Sequence, residues 1–348
     1  MGKHKASYML KAYELETKEV ETYDPAPGEL RIKVAHVGVC GSDLHFFQDG
    51  KLGNWVVEQP LILGHETAGY VDAIGEGVTG FKIGDKVALE PGEGCGECYY
   101  CKTGRYNICD GMSFFACPGQ RPGTFQEYVN HPASLCFKLP DNVSTMEGAL
   151  IEPFAVGLHA VKLAKVSLGQ SAVILGSGCI GLVTLMALKA SGACPIIVVD
   201  IVDKRLEKAK ELGANYVINA NKEDVEAKVL EYTDGENADF VFEMAGVEKT
   251  VQQTVRLVRK GGTVILVGLT VNPEVNYDLG TLMVKEAHIE TIFRYRNLYP
   301  PAIKLLQWMD IPLKEIVSDI FTYDDLENGL VKSIQDKENI IKSVISFE

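Results

Sequence analysis

The sequence predicts an α/β protein of two parts, a small barrel-like β domain and a doubly wound parallel sheet. Three observations predict it. At 348 residues the chain is too long for one ordinary core. Up to about residue 140 it consists of short β-type runs punctuated by glycine turns. From residue 171 apolar strands alternate with helical patterns, and the first such strand runs into Gly176-Ser177-Gly178-Cys179-Ile180-Gly181.

Composition narrows the function. Hydrophobic residues make up 46% and charged residues 23%, as in an ordinary globular protein. A formal net charge of -13 argues against nucleic acid and anionic membrane surfaces as partners. Nine cysteines, an odd count with four crowded between 95 and 109, suit metal ligation in a reducing compartment better than disulfides. Met1-Gly2-Lys3-His4-Lys5 is basic, but no apolar run follows. The longest apolar run, around 180–188, is too short to span a bilayer. A cytoplasmic location is expected.

In chain order, residues 1–8 read as a loose extension and 9–48 as all β, with strands at 9–15 and 30–39 parted by the turn cluster Asp24-Pro25-Ala26-Pro27-Gly28. Strands at 69–74 and 85–90 continue the pattern. In 113–140, Phe114, Phe115 and Phe125 read mostly as core, with one or two available to wall a substrate pocket. A helical pattern covers 156–163. Strands are expected at 172–175, 196–200, 216–219, 238–243, 263–268 and 289–293, with helices between them. The tail holds helices at 301–309 and 324–335 and a last strand at 343–346, placed back in the β domain. The expected domains are therefore 1–157 with 296–348, and 158–295.

The chain is organised around Gly64-His65-Glu66-Thr67-Ala68-Gly69. Imidazole and carboxylate both suit zinc, and a catalytic zinc needs three protein ligands and one open position. The third ligand is sought upstream, in Val39-Cys40-Gly41-Ser42-Asp43-Leu44-His45. Cys95, Cys98, Cys101 and Cys109 place four thiolates within 15 residues, enough to close a tetrahedron around a structural zinc. An iron–sulfur cluster is the rival, but the last gap of seven residues and the absence of Cys-Pro count against it. Glu152 is an acid within an apolar run, costly unless paired or metal-bound.

In the glycine-rich turn, Gly176 permits the tight turn, Gly178 lets a pyrophosphate approach the backbone, and Gly181 lets helix and sheet pack closely. The helix N-terminus then offers free N–H groups to the phosphates. Asp200, 19 residues beyond Gly181, stands where a carboxylate accepts from the ribose hydroxyls and repels a 2′-phosphate, which favours NAD. Lys204 and Arg205 argue the other way unless they pair with Glu207 and Glu211 along their helix.

The run Gly64-His65-Glu66-x-x-Gly69-x5-Gly75-x-x-Val78, the four-cysteine lobe and the dinucleotide fingerprint together resemble the zinc-containing medium-chain dehydrogenases/reductases. The resemblance spans nearly the whole chain after residue 8. It implies a GroES-like β-barrel catalytic domain and a Rossmann cofactor domain. Cys40 to His45, Ile151-Glu152-Pro153-Phe154-Ala155-Val156-Gly157-Leu158-His159 and Phe293-Arg294-Tyr295 look most like the sorbitol/xylitol (polyol) dehydrogenases. Their pattern implies Cys40, His65 and Glu66 as catalytic zinc ligands, with Glu152 holding the zinc water or acting as an alternate ligand. Asp43 would brace His65, and Ser42 and His45 would form a proton path. Arg294 and Tyr295 would contact polyol and nicotinamide. Gly176, Gly178, Cys179, Ile180, Gly181, Asp200, Arg205, Val267, Gly268, Leu269 and Phe293 form the candidate NAD set. A homodimer or homotetramer is implied.

Two departures qualify a sorbitol assignment. Phe46 stands where animal sorbitol dehydrogenases carry tyrosine, and the complete four-cysteine lobe resembles microbial polyol dehydrogenases instead. The rival readings are a sibling enzyme for butanediol or threonine, and a non-catalytic NAD-binding protein on the same fold.

Overall fold

The computed structural model describes residues 2–270, 272 and 274–348. The chain divides into two compact units, Met1–Glu152 with Tyr299–Glu348, and Pro153–Leu298. The division falls inside the helix Thr145–Ala164. Among the described residues no helix is long and apolar enough to cross a membrane.

The first unit is built on a seven-stranded sheet. Its main path runs Cys136–Lys138, Lys86–Leu89, Glu66–Ile74, Glu29–Gly38, Lys342–Ser346 and Val317–Thr322, and Tyr128–Pro132 also pairs with Glu29–Gly38. The central strand Glu29–Gly38 alternates strongly, so that Leu30, Ile32 and Val34 enter the core with Val71, Val87, Leu89, Phe125 and Ile345. Two register shifts against Glu66–Ile74 mark bulges that bend the pair. The C-terminal strand Lys342–Ser346 pairs antiparallel with Glu29–Gly38, setting Val344 opposite Gly38, which itself faces Glu66 on the other side.

Three expectations for the N-terminal segment are corrected. Residues 3–8 are not a loose extension. Lys3–Lys11 is a strand that pairs with Glu14–Glu21 and Leu61–Ile62, and His4, Ala6, Ser7 and Met9 are buried along it. The single strand expected at 9–15 is a hairpin in which Met9 opposes Leu15, turning through Tyr13 at a positive φ of 57°. Residues 9–48 are not all β either, because Gly41–Asp49 is a helix. Asp43 starts it by accepting the Cys40 N–H, a local bond that competes successfully with strand pairing. Gly50, at φ 68°, ends it.

The second unit is a six-stranded, all-parallel sheet in the order Tyr216–Asn219, Ile196–Asp200, Ala172–Leu175, Ala238–Glu243, Val258–Leu266, His288–Thr291. In sequence terms this is the 3-2-1-4-5-6 order of dinucleotide-binding folds. Its inner strands are nearly continuous apolar runs, as strands covered on both faces must be.

Candidate functional site

Two clusters of metal-type donors form in the first unit. In one, a donor atom from each of Cys40, His65 and Glu66 lies within 4.8 Å of the others. In the second, the sulfurs of Cys95, Cys98, Cys101 and Cys109 meet the same limit.

The first cluster is assembled by a loop end, a helix start and a strand start. Cys40 caps the helix Gly41–Asp49, while His65 and Glu66 sit at the entry to the strand Glu66–Ile74. Gly64 makes that entry possible. Its φ of 87° suits glycine, and a Cβ there would meet Phe125 at 2.9 Å. Asp43, fully buried, organises the rest. Its Oδ2 accepts from Cys40 N at 3.0 Å and its Oδ1 from Gly64 N at 3.0 Å, with His65 Nδ1 at 3.6 Å. Burial opposes the Asp43 charge, but His65 and the two N–H donors outweigh it and hold the carboxyl below its ordinary value. Burial likewise disfavours a charged His65, yet Asp43 and Cys40 overrule it and raise the imidazole well above its ordinary value. A pocket that draws a proton onto a buried histidine is a pocket suited to a cation. With one soft thiolate, one imidazole and one carboxylate, the donor set fits zinc.

The four-cysteine lobe fits zinc on spacing. Cys98 Sγ and Cys109 Sγ are 3.7 Å apart, and a tetrahedron with Zn–S bonds of about 2.3 Å has edges of about 3.8 Å. Backbone N–H groups of Cys95, Cys98 and Cys101 point at sulfurs of the lobe, each at 3.4 Å. Such donors favour thiolate over thiol, and those of Glu97 and Cys98 lower the Cys95 pKa. Desolvation and the neighbouring sulfurs raise that of Cys101. Four crowded thiols cannot all ionise without a cation among them.

The other expected residues distribute as follows. Ser42 is half-buried on the first turn of the helix, and His45 is exposed on it with Nδ1 3.4 Å from Asp49 Oδ2. Glu152 is buried in the helix Thr145–Ala164 but lies outside the Cys40–His65–Glu66 cluster. It stands near Glu90, whose carboxyl burial pushes up to about 7 against a hydrogen bond from Tyr106 Oη at 2.5 Å, with the Glu152 charge adding to the rise. Phe114 packs beside the His65 ring at 5.5 Å between centroids, while Phe115 and Phe125 are core. Phe46 is also core. Arg294 and Tyr295 follow the last strand of the second unit. Arg294 has a φ of 55° and lays its guanidinium over Phe293, and Tyr295 is buried.

In the second unit the glycine turn is shaped as its spacing requires. Gly176 has a φ of 99°, Gly178 caps the helix Cys179–Ala190, and a Cβ on Gly181 would overlap Gly176 O. Ile180 O accepts from Thr184 within that helix. Asp200 ends the second strand, but its carboxylate is more committed than expected. Oδ2 accepts from Ser177 N and Oγ, and Oδ1 from Ile201 N and Val202 N. Glu211 pairs with Lys208 at 2.6 Å. Arg205 is half-buried on the same helix and Lys204 exposed. At the far side, Val267 N and Gly268 N bond Glu243 O, and Leu269 is exposed. A Cβ on Gly268 would strike Gly246 N, so glycine is required for that approach.

Sequence reasoning missed Ser177, Gly38, Glu90 and Lys342. Lys342 had a usable signal, a lysine inside the apolar run Ile340-Ile341-Lys342-Ser343-Val344-Ile345. It is buried and donates to Glu66 Oε1 at 2.6 Å.

A thiolate–imidazole–carboxylate cluster, a four-thiolate lobe and a dinucleotide-binding sheet on one chain define the class of zinc-type dehydrogenases. Comparison with known proteins agrees. Residues 26–141 match the alcohol dehydrogenase GroES-like domain, and residues 179–308 match the zinc-binding dehydrogenase domain. An uncharacterized zinc-type alcohol dehydrogenase-like protein of Escherichia coli is 45% identical, covering 93% of both chains. The sorbitol dehydrogenase of Bacillus subtilis is 38% identical over 98% of this chain and 96% of its own. The crystal structure of 2R,3R-butanediol dehydrogenase from Bacillus subtilis is 31% identical, with a TM-score of 0.90 over 99% of this chain and all of the other. The chain belongs to the zinc-binding dehydrogenase family and is an oxidoreductase.

Proposed function

We propose that this enzyme oxidises a secondary alcohol of a polyol, of the xylitol or sorbitol kind, to the 2-ketose, with NAD as hydride acceptor. The observation that carries the reading is the Cys40–His65–Glu66 cluster braced by a buried Asp43. The names of similar proteins, sorbitol dehydrogenase among them, supply the substrate class.

Zinc held at this cluster supplies a Lewis acid that lowers the pKa of a hydroxyl. The chain's own residues do the rest. The Cys40 thiolate and the Glu66 carboxylate balance the metal's two charges. Asp43 fixes the orientation and tautomer of His65. Ser42 and His45 carry the alcohol proton outward, from the half-buried first turn of the helix to its exposed flank. Glu152, a second buried acid, would hold a water for the metal site. Cys95, Cys98, Cys101 and Cys109 hold the structural zinc. NAD, when bound, would supply the acceptor for the hydride of the alcohol carbon, which would leave as the ketone. Asp200, a buried carboxylate at the end of its strand, repels a 2′-phosphate and so selects NAD.

The test is NADH formation on xylitol, sorbitol, butanediol and threonine, with and without a chelator. Chelator-sensitive turnover on a polyol is the expected result. Turnover on butanediol alone would keep the chemistry and overturn the substrate, a reading that the butanediol dehydrogenase structure favours. No turnover on any substrate, with NAD bound, would mean a non-catalytic protein.

A further inference from the structure

The cluster around the proposed catalytic metal has a fourth charged member. Lys342 opens the strand Lys342–Ser346 and is only 3% exposed. Its ammonium lies against both carboxylate oxygens of Glu66, itself 1% exposed, and donates to Oε1 at 2.6 Å. It also donates to Val39 O at 2.9 Å, the carbonyl immediately before Cys40. One ammonium thus holds the carboxylate of one donor residue and the main chain that carries another.

The approach is built into the sheet. The two side chains meet across Gly38, which stands between Glu66 and Val344 in register. A Cβ at Gly38 would overlap Glu66 Oε2 and stand 3.1 Å from Lys342 Cε. Glycine leaves the groove through which the lysine reaches the carboxylate.

Charge matching explains the arrangement. The Cys40 thiolate, Glu66 and the buried Asp43 bring three negative charges, and His65 as a neutral ligand brings none. Lys342 cancels one and leaves two, the charge of a divalent cation. A buried cluster carrying a net charge is costly.

We propose that Lys342 is a positioning residue for the metal site, sharing the Glu66 carboxylate with the metal. With the metal bound, the ammonium withdraws part of the carboxylate's donation and keeps the metal electrophilic. With the metal gone, it supplies the counter-charge that Glu66 would otherwise lack. The inference rests on the assignment of Cys40, His65 and Glu66 as ligands.

The experiment measures zinc content, the rate of zinc release to a chromogenic chelator, and thermal midpoints of zinc-loaded and zinc-free protein. It compares wild type, Lys342→Met, Lys342→Arg and the double variant Lys342→Met/Glu66→Gln. In Lys342→Met, Glu66 binds zinc without a competitor, so the catalytic zinc leaves about tenfold more slowly, the scale of one charged hydrogen bond. The zinc-free form loses more thermal stability than the loaded form. Lys342→Arg restores both properties, and the double variant regains zinc-free stability because both members of the pair are gone and the net charge of the site returns to that of wild type. Unchanged or faster zinc release, with equal losses in both forms, would make Lys342 a strut and overturn the proposal. If Lys342→Met fails to fold, a folded double variant supports the proposal and an unfolded one overturns it. Wild type holding only the structural zinc would instead overturn the ligand assignment, and the role of Lys342 with it.

Discussion

Asp200 receives both the backbone N–H and the hydroxyl of Ser177 on one carboxylate oxygen, at 2.6 and 2.8 Å. The glycine-rich turn and the acid at the end of the second strand are thereby one hydrogen-bonded unit. Asp200→Gly removes the buried charge together with the acceptor for four donors. We expect the NADP-to-NAD ratio of kcat/KM to rise at least about tenfold, with a lowered Tm. Ser177→Ala removes one charge-assisted bond and should cost about 1.5–3 kcal/mol in denaturant unfolding, with NAD still preferred. A ratio unmoved by Asp200→Gly would mean that another residue sets cofactor choice.

Asp43 ties together the chain at Cys40 and at Gly64 and faces His65. Asp43→Asn keeps the shape but removes the charge that orients the imidazole. Zinc affinity should fall about 10–100-fold in competition with a calibrated chelator. Equal affinity in both proteins would leave Asp43 with a helix-capping role alone.

The two buried acids Glu66 and Glu152 should separate on substitution. Glu66 belongs to the donor cluster and Glu152 does not. Glu66→Gln is expected to lose the catalytic zinc, whereas Glu152→Gln keeps it and loses turnover. Metal analysis showing full zinc in Glu66→Gln would remove Glu66 from the ligand set.

The cysteine lobe should be separable from the chemistry. Cys98→Ser breaks one of the two donor clusters, so zinc content should fall by one per chain. Thermal stability should drop with it, because structural zinc contributes folding energy directly. Zinc content unchanged from wild type would argue against a four-thiolate site.

A pH effect follows from His131. Burial holds this imidazole down to about 3, with Arg121 opposing protonation further, while its Nε2 meets Glu90 O at 2.9 Å. The folded protein therefore keeps His131 neutral where the unfolded chain protonates it. Its stabilising contribution is complete above about pH 6.5 and is lost as pH falls from there toward 3. The loss is up to about 1.4 kcal/mol per pH unit. Urea titrations of wild type and His131→Gln between pH 7 and 5 should show the variant's stability falling less steeply. Parallel curves would mean that His131 already protonates in the fold.

What could be read in advance was local. The parallel sheet follows from apolar runs of strand length separated by helix-period segments, and each expected strand of that sheet formed, whereas their order is seen only in the structure. The helix Gly41–Asp49 was hidden because Phe46, Phe47 and the preceding β-branched run look like strand, whereas the cap that starts it depends on one side chain, Asp43. The N-terminal strand was hidden because its partners, Glu14–Glu21 and Leu61–Ile62, supply the covering that its own polar residues do not suggest.

The sequence by itself determined the chemistry available: a histidine and a glutamate side by side between glycines, four closely spaced thiols, and a glycine turn between strand and helix. Those features depend on backbone freedom and donor type over a few residues, and local order preserves them. Only the tertiary structure decided how the charges are matched. Lys342 reaches Glu66 from 276 residues away, and Asp43 meets Gly64 from 21. Strand register and a missing Cβ at Gly38 set those pairings, and neither is written in the spacing of the residues that meet.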